Sequence, residues 1–313
     1  MALVVITGGA GFIGSNLAHA LVARGDGVRI VDNFSSGRRI NLADIADQFE
    51  LFEGDIRDPE LLAKAMDGAD FVLHQAALPS VVRSVEDPES SHDVNINGML
   101  RVLQAAREAK IKRLVYAASS SAYGETPTLP KIETMLPQPI SPYAVNKLLG
   151  EMYCSVWTRV FDLPCVSLRY FNVFGPRQSP QSEYAAVIPK FITMMQQGIS
   201  PTLNGDGGHT RDFCYIDNVV QANLKALTAP DAPGNVYNVA CGKRYSLIDL
   251  INAINVALGT AVQPIFGPER AGDIRDSLAD ITAIERDLGY VAEVDFAEGL
   301  RRAVAWYGQH PEG

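Results

Sequence analysis

A glycine-rich turn near the start of the chain constrains the fold more than any other feature of the sequence. The apolar segment Leu3–Thr7 predicts a buried strand, and Gly8, Gly11 and Gly14 follow it at three-residue spacing. An amphipathic helix is predicted next, over Phe12–Arg24. Glycines in this arrangement allow a tight turn and let a pyrophosphate approach the backbone and the helix N-terminus. The turn therefore predicts a dinucleotide-binding site in an α/β domain.

Short apolar segments alternate with longer amphipathic ones through the N-terminal half. The apolar segments are rich in β-branched and aromatic residues, which predicts strands covered on both faces. The predicted strands are Leu3–Thr7, Val28–Asp32, Phe49–Asp55, Phe71–Ala76, Leu114–Ser119 and Val166–Tyr170. The predicted helices between them are Phe12–Arg24, Pro59–Met66, Glu89–Ala109 and Tyr143–Phe161. This alternation predicts a doubly wound parallel sheet of the Rossmann type.

The alternation loosens after about Gly175, where the sequence predicts a smaller, mixed α/β lobe over the carboxyl edge of the sheet. The elements predicted here are helices at Ala186–Gln196, Asp217–Leu227, Ser246–Leu258 and Phe296–Trp306, and a strand near Val236–Ala240. We therefore expect a first domain over residues 1–176, to which a strand near 235–241 returns, and a second lobe over 177–313.

The composition narrows the classes of function. The 313 residues are 47% hydrophobic with a formal net charge of −9, which disfavours the concentrated positive charge of a nucleic-acid-binding surface. No segment approaches the ~20 apolar residues that span a bilayer, and Met1–Thr7 lacks the features of a signal peptide. The four cysteines and five histidines are scattered, so neither disulfides nor a metal site are expected. These features predict a cytoplasmic protein without nucleic-acid or membrane partners.

Acidic residues at the ends of the second and third predicted strands indicate which dinucleotide is bound. Asp32 lies 18 residues after Gly14, where a carboxylate accepts hydrogen bonds from ribose hydroxyls and repels a 2′-phosphate. NAD is therefore favoured over NADP, although Arg38 and Arg39 follow closely. Asp55 is a candidate for the adenine amino group, with a surface acid before a helix as the alternative.

Tyr143 and Lys147 form the candidate catalytic pair. Their i, i+4 spacing puts both side chains on one face of the helix predicted after Pro142. A tyrosine with its ordinary pKa near 10 is protonated at neutral pH, but a neighbouring ammonium and a positively charged nicotinamide both favour the phenolate. Ser119 ends a predicted strand, so its hydroxyl is expected at the same sheet edge as the glycine turn.

These features and others resemble the extended short-chain dehydrogenases/reductases, and within them the nucleotide-sugar 4-epimerases of the UDP-galactose and UDP-N-acetylglucosamine kind. The resemblance covers nearly the whole chain. Its motifs are Thr7–Gly14, Asp32–Asn33, Gly54–Asp55, His74–Ala77, Asn95, Ser119–Gly124, Tyr143–Lys147, Arg169–Pro176, Gly205–Gly207, Arg211–Phe213, Gly272–Asp273 and Ala279–Asp280.

The resemblance implies an NAD-dependent enzyme with Ser119, Tyr143 and Lys147 as its catalytic residues. It implies that Tyr143 removes the proton of the sugar 4-hydroxyl while hydride leaves carbon 4, and that the keto sugar then turns and is reduced on its other face. It further implies that Ser119, or alternatively Ser120 or Ser121 of the same run, bonds the reacting oxygen and that Lys147 holds the nicotinamide ribose. The implied cofactor contacts are Gly8, Gly11, Phe12, Ile13, Gly14, Asp32, Asn33, Ser36, Gly37, Asp55, Ile56, Gln75, Ala76, Ala77, Asn95, Tyr143, Lys147, Tyr170 and Val173.

The resemblance also implies a UDP-sugar substrate and a homodimer. Two arginines would bind the diphosphate, and further residues would contact the uridine and the sugar. The implied substrate contacts are Ser80, Arg83, Ser119, Ser120, Ser121, Tyr143, Asn172, Val187, Thr202, Asn204, Arg211, Arg270, Asp273 and Ser277. The dimer would form a four-helix bundle from the helices at about Glu89–Ala109 and Tyr143–Phe161.

Ser277 falls where, by the same resemblance, epimerases restricted to unacetylated sugars carry a tyrosine. A serine leaves room for a 2-acetamido group, so N-acetylated UDP-hexosamines are expected as substrates besides UDP-glucose and UDP-galactose. The alternative is that Ser277 is a small surface residue without a role in selection.

Other functions remain open at this point. A sugar-nucleotide 4,6-dehydratase or a nucleotide-sugar decarboxylase needs an acid where this chain has Ser120 and Ser121, so both are disfavoured. A UDP-glucuronate 4-epimerase stays open because Arg83 could pair with a sugar carboxylate. The alternative outside enzymes is an NAD-binding sensor, although such proteins usually lose the tyrosine or the lysine that this chain keeps.

Overall fold

The computed structural model describes residues 1–181, 187–268 and 276–310, in which strands and helices alternate along the chain. In chain order the strands are β1 (Leu3–Thr7), β2 (Gly27–Asp32), β3 (Glu50–Glu53), β4 (Phe71–His74), β5 (Arg113–Ser119), β6 (Cys165–Tyr170), β7 (Val173–Phe174), β8 (Thr202–Asn204), β9 (Thr210–Arg211), β10 (Cys214–Tyr215), β11 (Val236–Val239), β12 (Tyr245–Ser246) and β13 (Ile265–Gly267). The helices are α1 (Phe12–Ala23), α2 (Pro59–Met66), α3 (Val81–Glu86), α4 (Pro88–His92), α5 (Gly98–Glu108), α6 (Pro142–Val160), α7 (Val187–Gln196), α8 (Ile216–Ala226), α9 (Leu247–Leu258), α10 (Thr282–Leu288) and α11 (Phe296–Gln309).

Seven strands form one parallel sheet in the order β11-β6-β5-β4-β1-β2-β3. The strands before β4 extend the sheet to one side of β1, and those from β4 onward extend it to the other. A crevice opens outside the carboxyl ends of β1 and β4, where the order reverses. The prediction of a doubly wound parallel sheet is therefore confirmed.

The sheet separates two apolar cores, which explains why most of its strands are rich in apolar residues, whereas β3 at one edge is largely exposed. In β1, Val4 and Ile6 pack into one core and Val5 into the other, because successive side chains point to opposite faces. Leu73 and Val72 of β4 divide in the same way. Burying one such side chain stabilises the fold by roughly 1.5–3 kcal/mol.

The helix predicted over Glu89–Ala109 is confirmed as one helical segment, but its hydrogen-bonding pattern changes part of the way along it. A π-helical turn at Asp93–Asn97 separates α4 from α5. The turn brings Asn95 to the interior, where its Oδ1 accepts from the Leu78 N–H at 2.8 Å and its Nδ2 donates to the Leu78 carbonyl at 3.2 Å. The interruption thereby fastens the loop that follows β4 at the crevice.

The C-terminal half packs against the sheet and also contributes to it. Strand β11 pairs with β6 at one edge of the large sheet, while β7 pairs with β10, β9 with β12 and β8 with β13. The helix α8 also packs against α1. Within the described ranges, no helix has the length and apolarity needed to cross a membrane. The domain boundary at residue 176 stays a prediction.

Candidate active site

The three candidate catalytic residues meet at the carboxyl edge of the large sheet. Ser119 ends β5, while Tyr143 and Lys147 lie one turn apart on α6. Ser141 caps this helix, since its side chain accepts from the Ala144 N–H at 3.2 Å, and a proline takes the first helical position. The start of the helix is thus fixed at the residue that brings its reactive face to the end of β5.

Tyr143 is desolvated and hydrogen-bonded to Ser119. Burial raises the pKa of Tyr143 to about 12, and the side-chain hydrogen bond with Ser119 opposes that rise. The Lys147 ammonium lies 5.8 Å from the centre of the Tyr143 ring. In the protein alone Tyr143 is therefore a phenol at neutral pH, and further positive charge is needed to make it a base.

Lys147 is held between α6 and β5. Its Nζ donates to the Ala117 carbonyl at 2.7 Å and lies 5.1 Å from the centre of the Tyr116 ring. Burial lowers the pKa of Lys147 to about 8, and the carboxylate of Glu151 opposes that fall. Lys147 is thus protonated at neutral pH, but it is close enough to its titration range for its charge to depend on its neighbours.

A 3₁₀ turn over Ser120–Tyr123 follows β5 and carries the other predicted serines. The Ser119 side chain caps this serine turn by accepting from the Ser121 N–H at 3.2 Å. The Oγ of Ser121 is buried and has no hydrogen-bond partner among the described residues. Because a buried polar group without a partner is costly, this hydroxyl fits a site that a polar ligand completes.

At Gly8 and Gly14 the glycine turn leaves no space for a side chain. Gly8 has φ near +70°, and a Cβ on Gly14 would lie 2.1 Å from the Gly8 carbonyl oxygen. The helix α1 starts after Gly11 without a side-chain cap and without an acidic residue in its first turn. Its N–H groups and the positive end of its dipole therefore fit a pyrophosphate.

Asp32 ends β2 beside this turn, and both of its carboxylate oxygens are fixed. The N–H groups of Ala10 and Phe34 donate to Oδ2 and Oδ1, each at 2.8 Å, while burial raises the pKa of the carboxyl. A Cβ on Gly37 would lie 2.9 Å from both oxygens, so glycine keeps the approach to the carboxylate open. Two fixed, approachable acceptors fit the two hydroxyls of the ribose of NAD.

Two further pairs of predicted cofactor residues are already bonded to each other. Asn33 donates to Asp55 at 3.1 Å, and the hydrogen bond from Arg57 holds the pKa of Asp55 below its usual range. Gln75 donates to the Tyr170 hydroxyl at 3.2 Å, which joins the ends of β4 and β6. These contacts place all four predicted residues at the carboxyl edge of the sheet.

The remaining predicted cofactor residues lie on the same edge or support it. Both polar atoms of the Asn95 amide bond the backbone of Leu78, so this residue positions the loop after β4. Ile56 is buried against Gly98, where a Cβ would lie 2.6 Å from its Cδ1. The others follow β1, β2 or β4 or lie in β7: Phe12, Ile13, Ser36, Ala76, Ala77 and Val173.

The predicted substrate residues occupy separate elements. Ser80 caps α3 by accepting from the N–H of Arg83, whose side chain is exposed on that helix. Asn172 donates to the Asp212 carbonyl at 3.2 Å, which ties the end of β6 to the second half of the chain. Ser277 donates its N–H to the Thr210 carbonyl at 3.1 Å.

Other predicted substrate residues lie farther along the second half. Thr202 and Asn204 form β8, which pairs with β13 in a sheet of its own, and Val187 begins α7. Arg211 lies in β9 and donates to the Thr210 carbonyl at 2.9 Å. Arg270 and Asp273 lie outside the described residues.

A buried ion pair behind Lys147 was missed by the sequence analysis. Glu151 of α6 accepts two hydrogen bonds from Arg169 of β6, at 2.9 and 2.8 Å. A signal for it exists, because Glu151 extends the spacing of Tyr143 and Lys147 by four more residues and Arg169 interrupts an apolar strand. Neither the glycine turn nor the three candidate catalytic residues accounts for the burial of these two charges.

Known proteins are similar to this chain over most of its length. The sequence model of the NAD dependent epimerase/dehydratase family matches residues 4–240. The UDP-glucose 4-epimerase of Mycolicibacterium smegmatis is 39% identical over 307 residues, which cover 97% of each chain.

Solved structures are similar over the full length. The UDP-N-acetylglucosamine 4-epimerase of Methanobrevibacter ruminantium, in complex with UDP-N-acetylmuramic acid, is 38% identical with a TM-score of 0.94 and 99% of each chain covered. The UDP-glucose 4-epimerase of Thermus thermophilus, in complex with NAD, is 36% identical with a TM-score of 0.88, over 98% of this chain and 99% of that one.

The fold is that of a Rossmann enzyme that uses a nicotinamide dinucleotide, with a serine, a tyrosine and a lysine as its candidate catalytic residues. Because the family model matches most of the chain and relatives above 30% identity cover nearly all of it, the chain belongs to the NAD dependent epimerase/dehydratase family. NAD is accordingly its cofactor, as the sequence predicted.

Proposed function

We propose that this protein is a UDP-sugar 4-epimerase, which interconverts the gluco and galacto forms of a UDP-linked sugar. The observation that carries the proposal is the meeting of Ser119, Tyr143 and Lys147 at the sheet edge that also holds the glycine turn. The names of the similar proteins support it. The serines at positions 120 and 121 favour it over a 4,6-dehydratase, which needs an acid there.

The chain's own residues supply the proton chemistry of this reaction. When bound, NAD would supply the redox chemistry at carbon 4 of the sugar. Tyr143 takes the proton of the 4-hydroxyl and later returns it, and Ser119 bonds the same oxygen. The charge on Lys147, 5.8 Å from the ring, favours the phenolate. The glycine turn and Asp32 hold the cofactor.

A panel of substrates tests the proposed function. The purified protein with NAD is incubated with UDP-glucose, UDP-galactose, their N-acetylated forms and UDP-glucuronate, and the products are separated by chromatography. We expect the plain and the acetylated pairs to reach a gluco–galacto equilibrium. Turnover of UDP-glucuronate alone would show that the substrates are UDP-linked uronic acids instead of the plain or acetylated sugars. A 4-keto-6-deoxy product, or no turnover at all, would overturn the proposal.

The proposal includes N-acetylated sugars because of the position of Ser277. Its segment is tied to the loop that follows the serine turn, since the Leu278 carbonyl accepts from the Lys131 N–H at 2.8 Å. This contact supports a place for Ser277 at the sugar end of the site. Asn172 and Arg211 are proposed to bind the diphosphate at the other end, because arginine and amide groups donate to phosphate oxygens.

Tyrosine in place of Ser277 is expected to separate the two kinds of sugar. The ring would fill the space of the 2-acetamido group, so turnover of the acetylated pair falls by at least about 100-fold while the plain pair changes by less than about threefold. Initial rates for both pairs give the measurement, and Ser277→Ala is the matched control. An unchanged ratio of the two rates in Ser277→Tyr would show that Ser277 does not select the sugar.

The protein is further proposed to be a homodimer through α6. Val145, Met152, Val156 and Val160 are exposed on this helix at spacings that place them along one face. Such a stripe marks an interface, and a second copy covers it with the same stripe. We expect Met152→Glu/Val156→Glu to be monomeric by light scattering. Val256→Glu, on the exposed face of α9, is the control and should keep the dimer.

A further inference from the structure

A buried ion pair between Glu151 and Arg169 lies behind Lys147. Glu151 follows Lys147 by four residues, as Lys147 follows Tyr143, so all three lie on one face of α6. The Nε and Nη2 of Arg169 donate to the two carboxylate oxygens, and the two side chains are only 4% and 3% exposed. The carboxylate is therefore shielded from water and salt and fixed in one orientation.

Arg169 also contacts the serine turn. Its guanidinium carbon lies 4.6 Å from the centre of the ring of Tyr123, the last residue of that turn. The Tyr123 hydroxyl donates to Oδ1 of Asn238 in β11 at 2.7 Å. One buried side chain thus fixes the helix that carries Lys147 relative to the turn that follows Ser119.

The other groups around Lys147 do not supply a charge that could replace the carboxylate. Burial lowers the pKa of His74 to about 3 and raises the pKa of Tyr116 well above its ordinary value, so both are neutral. Arg107 of α5 contacts only the far end of α6, over the ring of Phe161. Among the described residues, the uncharged groups at the contacts of α6 include His74, Ser84, Ser91, Tyr116 and Asn146, and the titratable side chains Arg83, Glu86, Glu89 and His92 of α3 and α4 are exposed.

We propose that Glu151, fixed by Arg169, is a positioning residue that keeps Lys147 charged during the reaction. The proposal rests on the epimerase function proposed above and adds the group that maintains the ammonium. Burial disfavours the charged lysine, and the carboxylate one turn away favours it. Since the phenolate of Tyr143 forms more readily beside a charged lysine, Glu151 acts on the base through Lys147.

The direction of the pH dependence follows from the charge of Lys147. The reaction needs the protonated lysine, so activity falls as the pH rises through the titration of Lys147. Without the carboxylate, that titration moves to lower pH, and the alkaline limb of kcat/KM moves with it. A shift of about one pH unit is expected, so that the ratio of the activity at pH 8.5 to that at pH 6.5 is about sixfold lower in the variant than in the wild type.

Glu151→Gln tests the proposal, with Glu133→Gln as the matched control. Glu133 accepts from the Asn238 N–H at 2.8 Å, so its replacement removes another carboxylate of the same polar network. We expect the alkaline limb to shift in Glu151→Gln and to stay at the wild-type position in Glu133→Gln. An unshifted limb in Glu151→Gln would show that the ion pair only holds the fold.

A double variant separates stability from charge. Glu151→Gln leaves Arg169 buried without its partner, which destabilises the fold, whereas Glu151→Gln/Arg169→Met removes both charges. We expect the double variant to regain thermal stability and still to show an alkaline limb below that of the wild type. A return of both stability and the wild-type limb would overturn the proposal.

Carbon-13 NMR of the lysine side chains gives a readout that does not depend on activity. The signal of Lys147, assigned by its loss in Lys147→Met, is expected to titrate about one pH unit lower in Glu151→Gln than in the wild-type holoenzyme. A shifted signal without turnover of any UDP-sugar would contradict the proposed function alone. An active epimerase with an unshifted signal would contradict the role of Glu151 alone. The Lys147 signal of Glu151→Asp should titrate between those of the wild type and Glu151→Gln. This variant replaces Glu151→Gln in the test if Glu151→Gln does not fold.

Discussion

Phenylalanine in place of Tyr143 is expected to lower kcat for UDP-glucose about 1,000-fold while NAD stays bound. The change removes only the oxygen that takes and returns the proton, and a general acid–base group contributes about 10²–10⁴-fold. KM should change little, because the ring that fills the space beside Ser119 remains. Initial rates, the absorbance of the released cofactor and the thermal midpoint give the three measurements.

The matched control for this variant is Tyr153→Phe on the same helix. The Tyr153 ring packs edge-on against the Trp157 ring, with 5.5 Å between the ring centres. We expect wild-type kcat for Tyr153→Phe. If Tyr143→Phe kept more than about a tenth of the wild-type kcat, another group would have to be the base.

Most strands of the large sheet could be predicted because they are apolar segments between two cores. The predicted strand Leu3–Thr7 agrees with β1 at both ends, and the prediction for Pro59–Met66 agrees with α2. The first agrees because every residue after Leu3 is buried, the second because Asp58 and a proline mark the helix start. Local sequence is sufficient where burial or capping is decided within the segment.

The elements that the sequence analysis missed depend on contacts between distant residues. The helix α3 is too short to show a period, and the strands β7 to β10 have two or three residues each. The π-helical turn before Gly98 accompanies the contacts of Asn95 with Leu78, 17 residues earlier. Such features have no local pattern, because a partner far along the chain determines them.

The candidate site shows the same division. The glycine turn, Tyr143 and Lys147 were predicted because their chemistry requires fixed spacings within one turn or one helix. The partner of Glu151 lies 18 residues away on β6, and only the packing of α6 on the sheet brings Arg169 to it. Spacing therefore predicts candidate groups for the chemistry, and tertiary packing decides which charges surround them.

Alanine in place of Gly14 is expected to abolish NAD binding and to destabilise the fold by about 3 kcal/mol. The added Cβ would lie 2.1 Å from the Gly8 carbonyl oxygen and 2.8 Å from the Cα of Gly9, which are backbone atoms that cannot rotate away. The turn must open to relieve these contacts, which moves the N-terminus of α1 away from the pyrophosphate. Isothermal titration with NAD and thermal unfolding give the measurements.

Gly11→Ala is the comparison that separates the two effects of Gly14→Ala. The Cβ at residue 11 would have one close contact, 3.2 Å from the Gly8 carbonyl oxygen, and φ is −73°, which alanine adopts without strain. We expect Gly11→Ala to keep nearly wild-type stability and to lose affinity for NAD, because its methyl group lies at the mouth of the helix N-terminus. If Gly14→Ala bound NAD with unchanged affinity, the pyrophosphate could not lie on this turn, since the backbone atoms that would have to move are those that would bind it.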